Sequence, residues 1–158
     1  MSEQIIINEV GPRDGLQNQD KLLSPSQRLD LIQKLVDAQI KYIEAGSFVS
    51  PKAVPKMAGS DEVYKNLPAT DTVNYTALIP NQRGYDMARA SGAQSVALIL
   101  AGTDTMSERN INMNRQQVMD VSKKIIQQSA AENVHSLAYI TVAFECPFEG
   151  KVDNQIVE

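Results

Sequence analysis

Five apolar runs with strand character alternate with helix-like segments along the chain, and polar residues gather after each run. The runs are Ile5–Glu9, Tyr42–Ala45, Thr72–Ile79, Ser95–Ala101 and Leu137–Phe144. The first is built on three consecutive isoleucines, which predicts a strand buried on both faces. Such alternation predicts a parallel sheet covered by helices.

The intervening segments carry helix signals. Ser24-Pro25-Ser26-Gln27 offers a cap, a proline at the first helical position and the reciprocal glutamine of a capping box. Leu29, Ile32, Leu35 and Val36 then form an apolar stripe, and the helix is expected to stop near Gln39. A short helix is expected at Asp61–Lys65, and another at Gln82–Ala90 with Asn81 as cap and Gly92 past its end. The longest runs from about Arg115 to Glu132, capped by Asn114, with Val118, Val121, Ile125 and Ile126 facing inward. Ser47–Pro55 and Gly102–Asn112 read as loops, the first too rich in proline for regular structure.

Two architectures fit a parallel α/β pattern: an open doubly wound sheet or part of a closed (β/α) barrel of TIM type. The first βα loop has no G-x-G-x-x-G, and no loop resembles a P-loop. Polar groups instead follow every strand: Arg13 and Asp14, Glu44 with Ser47, Asn81, Thr103–Asn112 and Glu145. Chemistry gathered from several strand ends is how barrels build sites, so a barrel is expected. A complete barrel needs about eight strands and roughly 250 residues. The 158 residues supply five strands and then Asp153–Glu158, which reads as the first turns of another helix. Residues 1–158 are therefore expected to be the amino-terminal part of a single (β/α)-barrel catalytic domain, with the barrel incomplete.

Composition bounds the partners. The chain is 42% hydrophobic with a net charge of -4 and no long run of either sign, so the basic footprint of a nucleic-acid binder is missing. No apolar run approaches a membrane span, and the polar start Met-Ser-Glu-Gln has no leader character. The single cysteine, Cys146, permits no internal disulfide and fits a reducing compartment. A cytoplasmic protein is expected, without membrane or nucleic acid. Strands one and five would leave unpaired edges, which favour self-association and allow a homo-oligomer.

The stretch that could carry chemistry is Ile5-Ile-Ile-Asn-Glu-Val-Gly-Pro-Arg-Asp-Gly-Leu-Gln17. Gly11-Pro12 ends the strand and turns the chain, placing a fixed cation beside an acid just past its carboxyl end. An arginine–aspartate pair in a loop can also be a plain surface ion pair.

V-G-P-R-D-G-L-Q resembles the opening of the hydroxymethylglutaryl-CoA lyases, which belong to a larger group of metal-dependent lyases and synthases on (β/α) barrels. Ile43-Glu44, Ser47-Phe48-Val49-Ser50-Pro51-Lys52, Val54-Pro55, Asn74-Tyr75, Leu78, Pro80-Asn81, Asn110-Ile111-Asn112 and Cys146-Pro147-Phe148-Glu149-Gly150-Lys151 extend the likeness from about Ile6 to the end of the chain. The resemblance implies a divalent-metal-dependent enzyme that splits hydroxymethylglutaryl-CoA, a small acyl-CoA substrate, into acetyl-CoA and acetoacetate. It matches Asp14 to a ligand of Mg2+ or Mn2+, and Arg13 to a catalytic, substrate-binding cation. It matches Glu44 to a catalytic acid that supports Arg13 or substrate; a buried carboxylate paired to Arg13 is a compatible reading. Gln17 and Ser47 either bind substrate or satisfy the loop backbone. The family's catalytic cysteine lies in a later glycine-rich loop, so Cys146 reads as a buried packing residue. His135 reads as a connector at the far end of the strands. The remaining metal ligands of the family, two histidines and an asparagine, have no counterpart, which makes the chain alone an expected non-catalyst. A condensing synthase of the same group, acting on an acyl-CoA and a 2-oxo acid, is an alternative that the Ser47–Lys52 loop disfavours. A non-catalytic half-barrel that associates with a partner is the third.

Overall fold

The structure, a computed structural model, describes residues 5–157; the polar start Met1–Gln4 and Glu158, the end of the expected last helix, lie outside them. Five parallel strands form one sheet in sequence order: β1 (Asn8–Glu9), β2 (Tyr42–Ser47), β3 (Asn74–Ile79), β4 (Ser95–Ala101) and β5 (His135–Thr141). Sequential parallel order with a helix in the connections is the arrangement of a (β/α) barrel, and the sheet curls as half of one.

The helices are α1 (Pro25–Asp37), α2 (Ser60–Lys65), α3 (Gln82–Ala90), α4 (Asp104–Ile111) and α5 (Arg115–Ala131). Their starts follow from local chemistry. Ser24 and Gln27 form the expected capping box of α1, Asn81 caps α3 through the Gly84 amide, and Asn114 with Gln117 forms a second box at α5. Alternate strand residues face the helices. Ile43, Ala45, Ala77, Ile79, Val96 and Leu98 pack there with Ile32, Val63, Tyr85, Ala88 and Ile125 in one core.

Several elements differ from the sequence reading. Ile5–Ile7 are not a buried strand: they are 85%, 64% and 68% exposed. Asn8 is already opposite Tyr42, the first residue of β2, so nothing before Asn8 has a strand to pair with. The expected strand Thr72–Ile79 begins at Asn74. β5 starts two residues early, so His135 belongs to the strand, opposite Ser95, at the end away from the loops that carry Arg13. It stops at Thr141 because Val142 turns into the left-handed region (φ 49°), leaving Phe144 outside and exposed. Gly102 permits that turn: a Cβ there would lie 2.8 Å from the Val142 carbonyl oxygen.

The segment Gly102–Asn112, read as a loop, contains α4. Thr103 caps it by accepting from the Met106 amide, and Asn112 ends it in a left-handed conformation. A small antiparallel ribbon follows β5, formed by β6 (Glu145–Cys146) and β7 (Gly150–Lys151). Ile126 is 41% exposed, so the inward stripe of α5 is Val118, Val121 and Ile125. The segment from Asp153 makes only one turn of 3-10 helix, Asn154–Ile156.

Candidate active site

Polar side chains converge at the carboxyl edge of the sheet. After β1 the chain makes a π-helical turn, Gly11–Gly15, in which the amides of Arg13, Asp14 and Gly15 all donate to the Val10 carbonyl. Pro12 is buried under this turn and lacks a donor that would need a partner. The turn sends the Arg13 side chain back over the sheet.

Arg13 Nε donates to Glu44 Oε1, and Arg13 Nη1 donates to Asp14 Oδ1 at 2.7 Å. Glu44 stands on β2 with no solvent exposure, and the Arg13 side chain is 12% exposed. The second Glu44 oxygen accepts from Tyr139 Oη at 3.0 Å, reaching across from β5. Asn8 Nδ2 in turn donates to Tyr139 Oη at 3.0 Å. Burial first, and then the Glu44 charge beside it, push the Tyr139 phenol up to about 12. Tyr139 is therefore a permanent donor at working pH, and Glu44 has both oxygens fixed.

β2 carries an irregularity between Glu44 and Gly46 that resets its register against β3. Behind it lies Arg28 of α1, fully buried, donating to Ala58 O at 3.1 Å, Ser60 Oγ at 3.2 Å and Ala45 O at 3.4 Å. Burial pulls its pKa down. Ser60 Oγ also accepts from the Ser47 amide at 3.3 Å, so Arg28 and Ser60 together set the start of the loop after β2.

A cavity of about 600 Å3 opens here, walled by residues that follow the first four strands and by the last residue of β5. Arg13, Asp14 and Gln17 line it, with Val54 after β2, Asn81 after β3, Arg109 of α4 with Asn112 just past its end, and Thr141 of β5. Of the sequence candidates, Glu44 sits behind Arg13, outside the wall. Ser47 is buried, its hydroxyl has no partner, and it does not line the cavity. Cys146 is buried and accepts from Thr103 Oγ1 at 3.1 Å. His135 lies at the opposite end of β5.

Tyr139, Asn8, Arg28 and Arg109 escape the sequence reading. Tyr139 had a signal, since it shares a strand face with Thr141 by period two. Arg28 had none, because an arginine next to an apolar helical stripe reads as solvated.

Among the described residues no group of three or more His, Cys, Asp or Glu could hold a metal ion. Asp14, whose side chain is half exposed, is the candidate ligand the resemblance picks out, and one carboxylate does not make a metal site. These residues alone do not fit a resident cation.

An arginine locked between two carboxylates, at the carboxyl edge of a parallel half-barrel, places the chain among (β/α)-barrel proteins with their chemistry at the strand ends. The HMGL-like family model matches residues 4–157, and the chain belongs to that family. It is 39% identical to the hydroxymethylglutaryl-CoA lyase of Pseudomonas mevalonii over 98% of this chain and 52% of that protein. It is 37% identical to the (R)-citramalyl-CoA lyase of Chloroflexus aurantiacus, over 98% of this chain and 52% of the relative. The crystal structure of hydroxymethylglutaryl-CoA lyase from Pseudomonas aeruginosa superposes with a TM-score of 0.91 at 38% identity, covering 98% of this chain and 51% of that one. The chain thus spans about half the length of the relatives it matches.

Proposed function

We propose that the protein is a carbon–carbon lyase that cleaves 3-hydroxy-3-methylglutaryl-CoA to acetyl-CoA and acetoacetate, as in leucine degradation and ketone-body formation. Residues 1–158 are then the amino-terminal part of one (β/α)-barrel catalytic domain, a reading supported by the half-length match to whole lyases.

The observation that carries the reading is the state of Arg13. Its guanidinium is nearly buried and held by Glu44 and Asp14. Two of its five N–H groups are used in those contacts; one on Nη1 and both on Nη2 are left, and Arg13 lines the cavity that would hold a ligand. In the cleavage, the tertiary hydroxyl loses its proton and becomes a ketone as the C2–C3 bond breaks. The electron pair of that bond passes into the thioester as an enolate, which takes a proton at carbon to become acetyl-CoA. Charge therefore builds on the thioester oxygen. A permanently charged, preoriented donor at that oxygen stabilises the transition state more than the substrate.

Glu44 acts behind Arg13 by fixing its orientation, and Gln17 in the cavity wall is assigned to substrate. Ser47, whose hydroxyl is buried without a partner, is assigned to positioning its loop through its amide on Ser60 Oγ. Asp14 is assigned as one carboxylate ligand of Mg2+ or Mn2+. Such a cation, if bound, would acidify a hydroxyl; the described residues hold no cluster that would complete its site.

The citramalyl-CoA relative favours a second reading, in which the same bond type is broken in a shorter hydroxy acid. A condensing synthase of the same barrel group is the reverse chemistry. Among the described residues no helix is long and apolar enough to cross a membrane, and a cytoplasmic site of action is proposed. The test is product analysis with the full-length protein and either Mg2+ or Mn2+. Acetoacetate from 3-hydroxy-3-methylglutaryl-CoA is expected. Pyruvate from citramalyl-CoA, or condensation of acetyl-CoA with a 2-oxo acid, in place of acetoacetate would replace the assignment.

A further inference from the structure

The cavity wall holds a second arginine in a different state. Arg109, in the last turn of α4, is exposed to the cavity and forms no ion pair among the described residues. Its guanidinium carbon lies 4.1 Å from the centroid of the Phe148 ring. A guanidinium on an aromatic face is held flat while its in-plane N–H groups stay available, so little freedom is lost when it takes an anion.

Phe148 belongs to the turn between β6 and β7, and this ribbon is fastened to the start of α4 twice. Thr103 Oγ1 donates to Cys146 Sγ at 3.1 Å, and the Thr105 amide donates to Glu149 Oε1 at 2.9 Å. Helix and aromatic shelf therefore form one unit. A cation in the last turn of a helix complements the dipole. That accounts for a positive charge on α4, but not for its aromatic shelf or for its place in the same wall as Arg13. Glu108 is its neighbour in sequence and forms no ion pair with it.

The charge of Arg13 is already engaged by Glu44 and Asp14, and the thioester oxygen is assigned to its free donors. An acyl-CoA of the proposed kind brings further anionic groups, the free carboxylate of its acyl chain and the phosphates of its CoA. We propose that Arg109 is the anion anchor of this site, a specificity-determining residue that binds a carboxylate or phosphate oxygen of the acyl-CoA. The inference rests on the acyl-CoA reading above and adds the residue that selects for the substrate's charge.

The test uses the full-length protein and its Arg109→Gln and Arg109→Lys variants. Each is assayed with 3-hydroxy-3-methylglutaryl-CoA and with the pantetheine thioester of the same acid, which lacks the nucleotide and all phosphates. Arg109→Gln is expected to raise KM for the CoA thioester by about tenfold or more, with kcat within about threefold, and Arg109→Lys to fall between. A rise that persists with the pantetheine thioester assigns the acyl carboxylate; a rise seen only with the CoA thioester assigns a phosphate. Calorimetric titration with CoA and with free 3-hydroxy-3-methylglutarate separates this claim from the proposed activity. If the wild type cleaves neither thioester, the lyase reading fails and the anchor is judged on binding alone. Binding of either ligand that is lost in Arg109→Gln supports the anchor. Equal KM and equal binding in wild type and variant, or no binding by the wild type, would overturn it.

Discussion

A carboxylate with no solvent exposure, such as Glu44, is tolerable only when its oxygens are hydrogen-bonded, and Arg13 and Tyr139 take one each. Removing either partner leaves a buried charge short of a donor. Tyr139→Phe is expected to destabilise the fold by about 1–3 kcal/mol near neutral pH, measured by urea denaturation. The effect depends on pH. The folded pKa of Tyr139 is about 12, against an ordinary value of 10.0, so its contribution is fully present below pH 10.0 and fades as pH rises toward 12. Tyr64, Tyr75 and Tyr85 are also raised by burial, so the wild type loses stability over this range from several phenols. The gap between wild type and Tyr139→Phe isolates the one that holds Glu44, and it should narrow with rising pH. A gap that stayed constant from pH 9 to 12 would show that the phenol is not held in this way. Arg13, Asp14 and Glu44 were legible at this scale because they fall in short, unusual stretches. Tyr139 was missed: its strand face was readable by period two, but its partner Glu44 stands three strands away across the curled sheet.

The second strand shows how much an element depends on what lies behind it. Its irregularity at Glu44–Gly46 is shaped by Arg28 and Ser60, and a Cβ on Gly46 would lie 2.7 Å from Arg28 Nη2 and 2.9 Å from Ser60 Oγ. Both atoms are hydrogen-bonded in a buried setting, so neither moves freely. Gly46→Ala is expected to cost about 1–3 kcal/mol of stability by overpacking. A change below about 0.5 kcal/mol in the denaturation midpoint analysis would mean that the loop after β2 is not pinned from behind. Helix starts with caps were read correctly, since Ser24, Asn81 and Asn114 each act on an amide three residues away. α4 was missed although Thr103 caps it, because its polar residues resembled a loop. The end of β5 was missed because it is set by Gly102 against Val142, a contact between separate connections.

For the whole molecule, parallel sense followed from alternation and the sequential strand order from the barrel choice that the polar strand ends supported, whereas the extent of burial did not follow from either. β1 and β5 each have one unpaired edge in the described residues. Ile5, Ile6, Ile7, Ile140 and Phe144 are exposed around them. Open edges and apolar surface favour association. The 158-residue chain purified alone is expected to self-associate in sedimentation, to bind Mn2+ weakly by electron paramagnetic resonance, and to release no acetoacetate. A stable monomer with tight Mn2+ binding would show that Asp14 has ligands within this chain after all. The central claim concerns Arg13 as the oriented cation of a lyase site, and its most direct test is single-turnover acetoacetate release by the full-length protein and its Arg13→Met variant. The account predicts a loss of about 100-fold or more in the rate of cleavage, with an unchanged circular dichroism spectrum and melting curve close to wild type. Cleavage by the folded variant at the wild-type rate would contradict it.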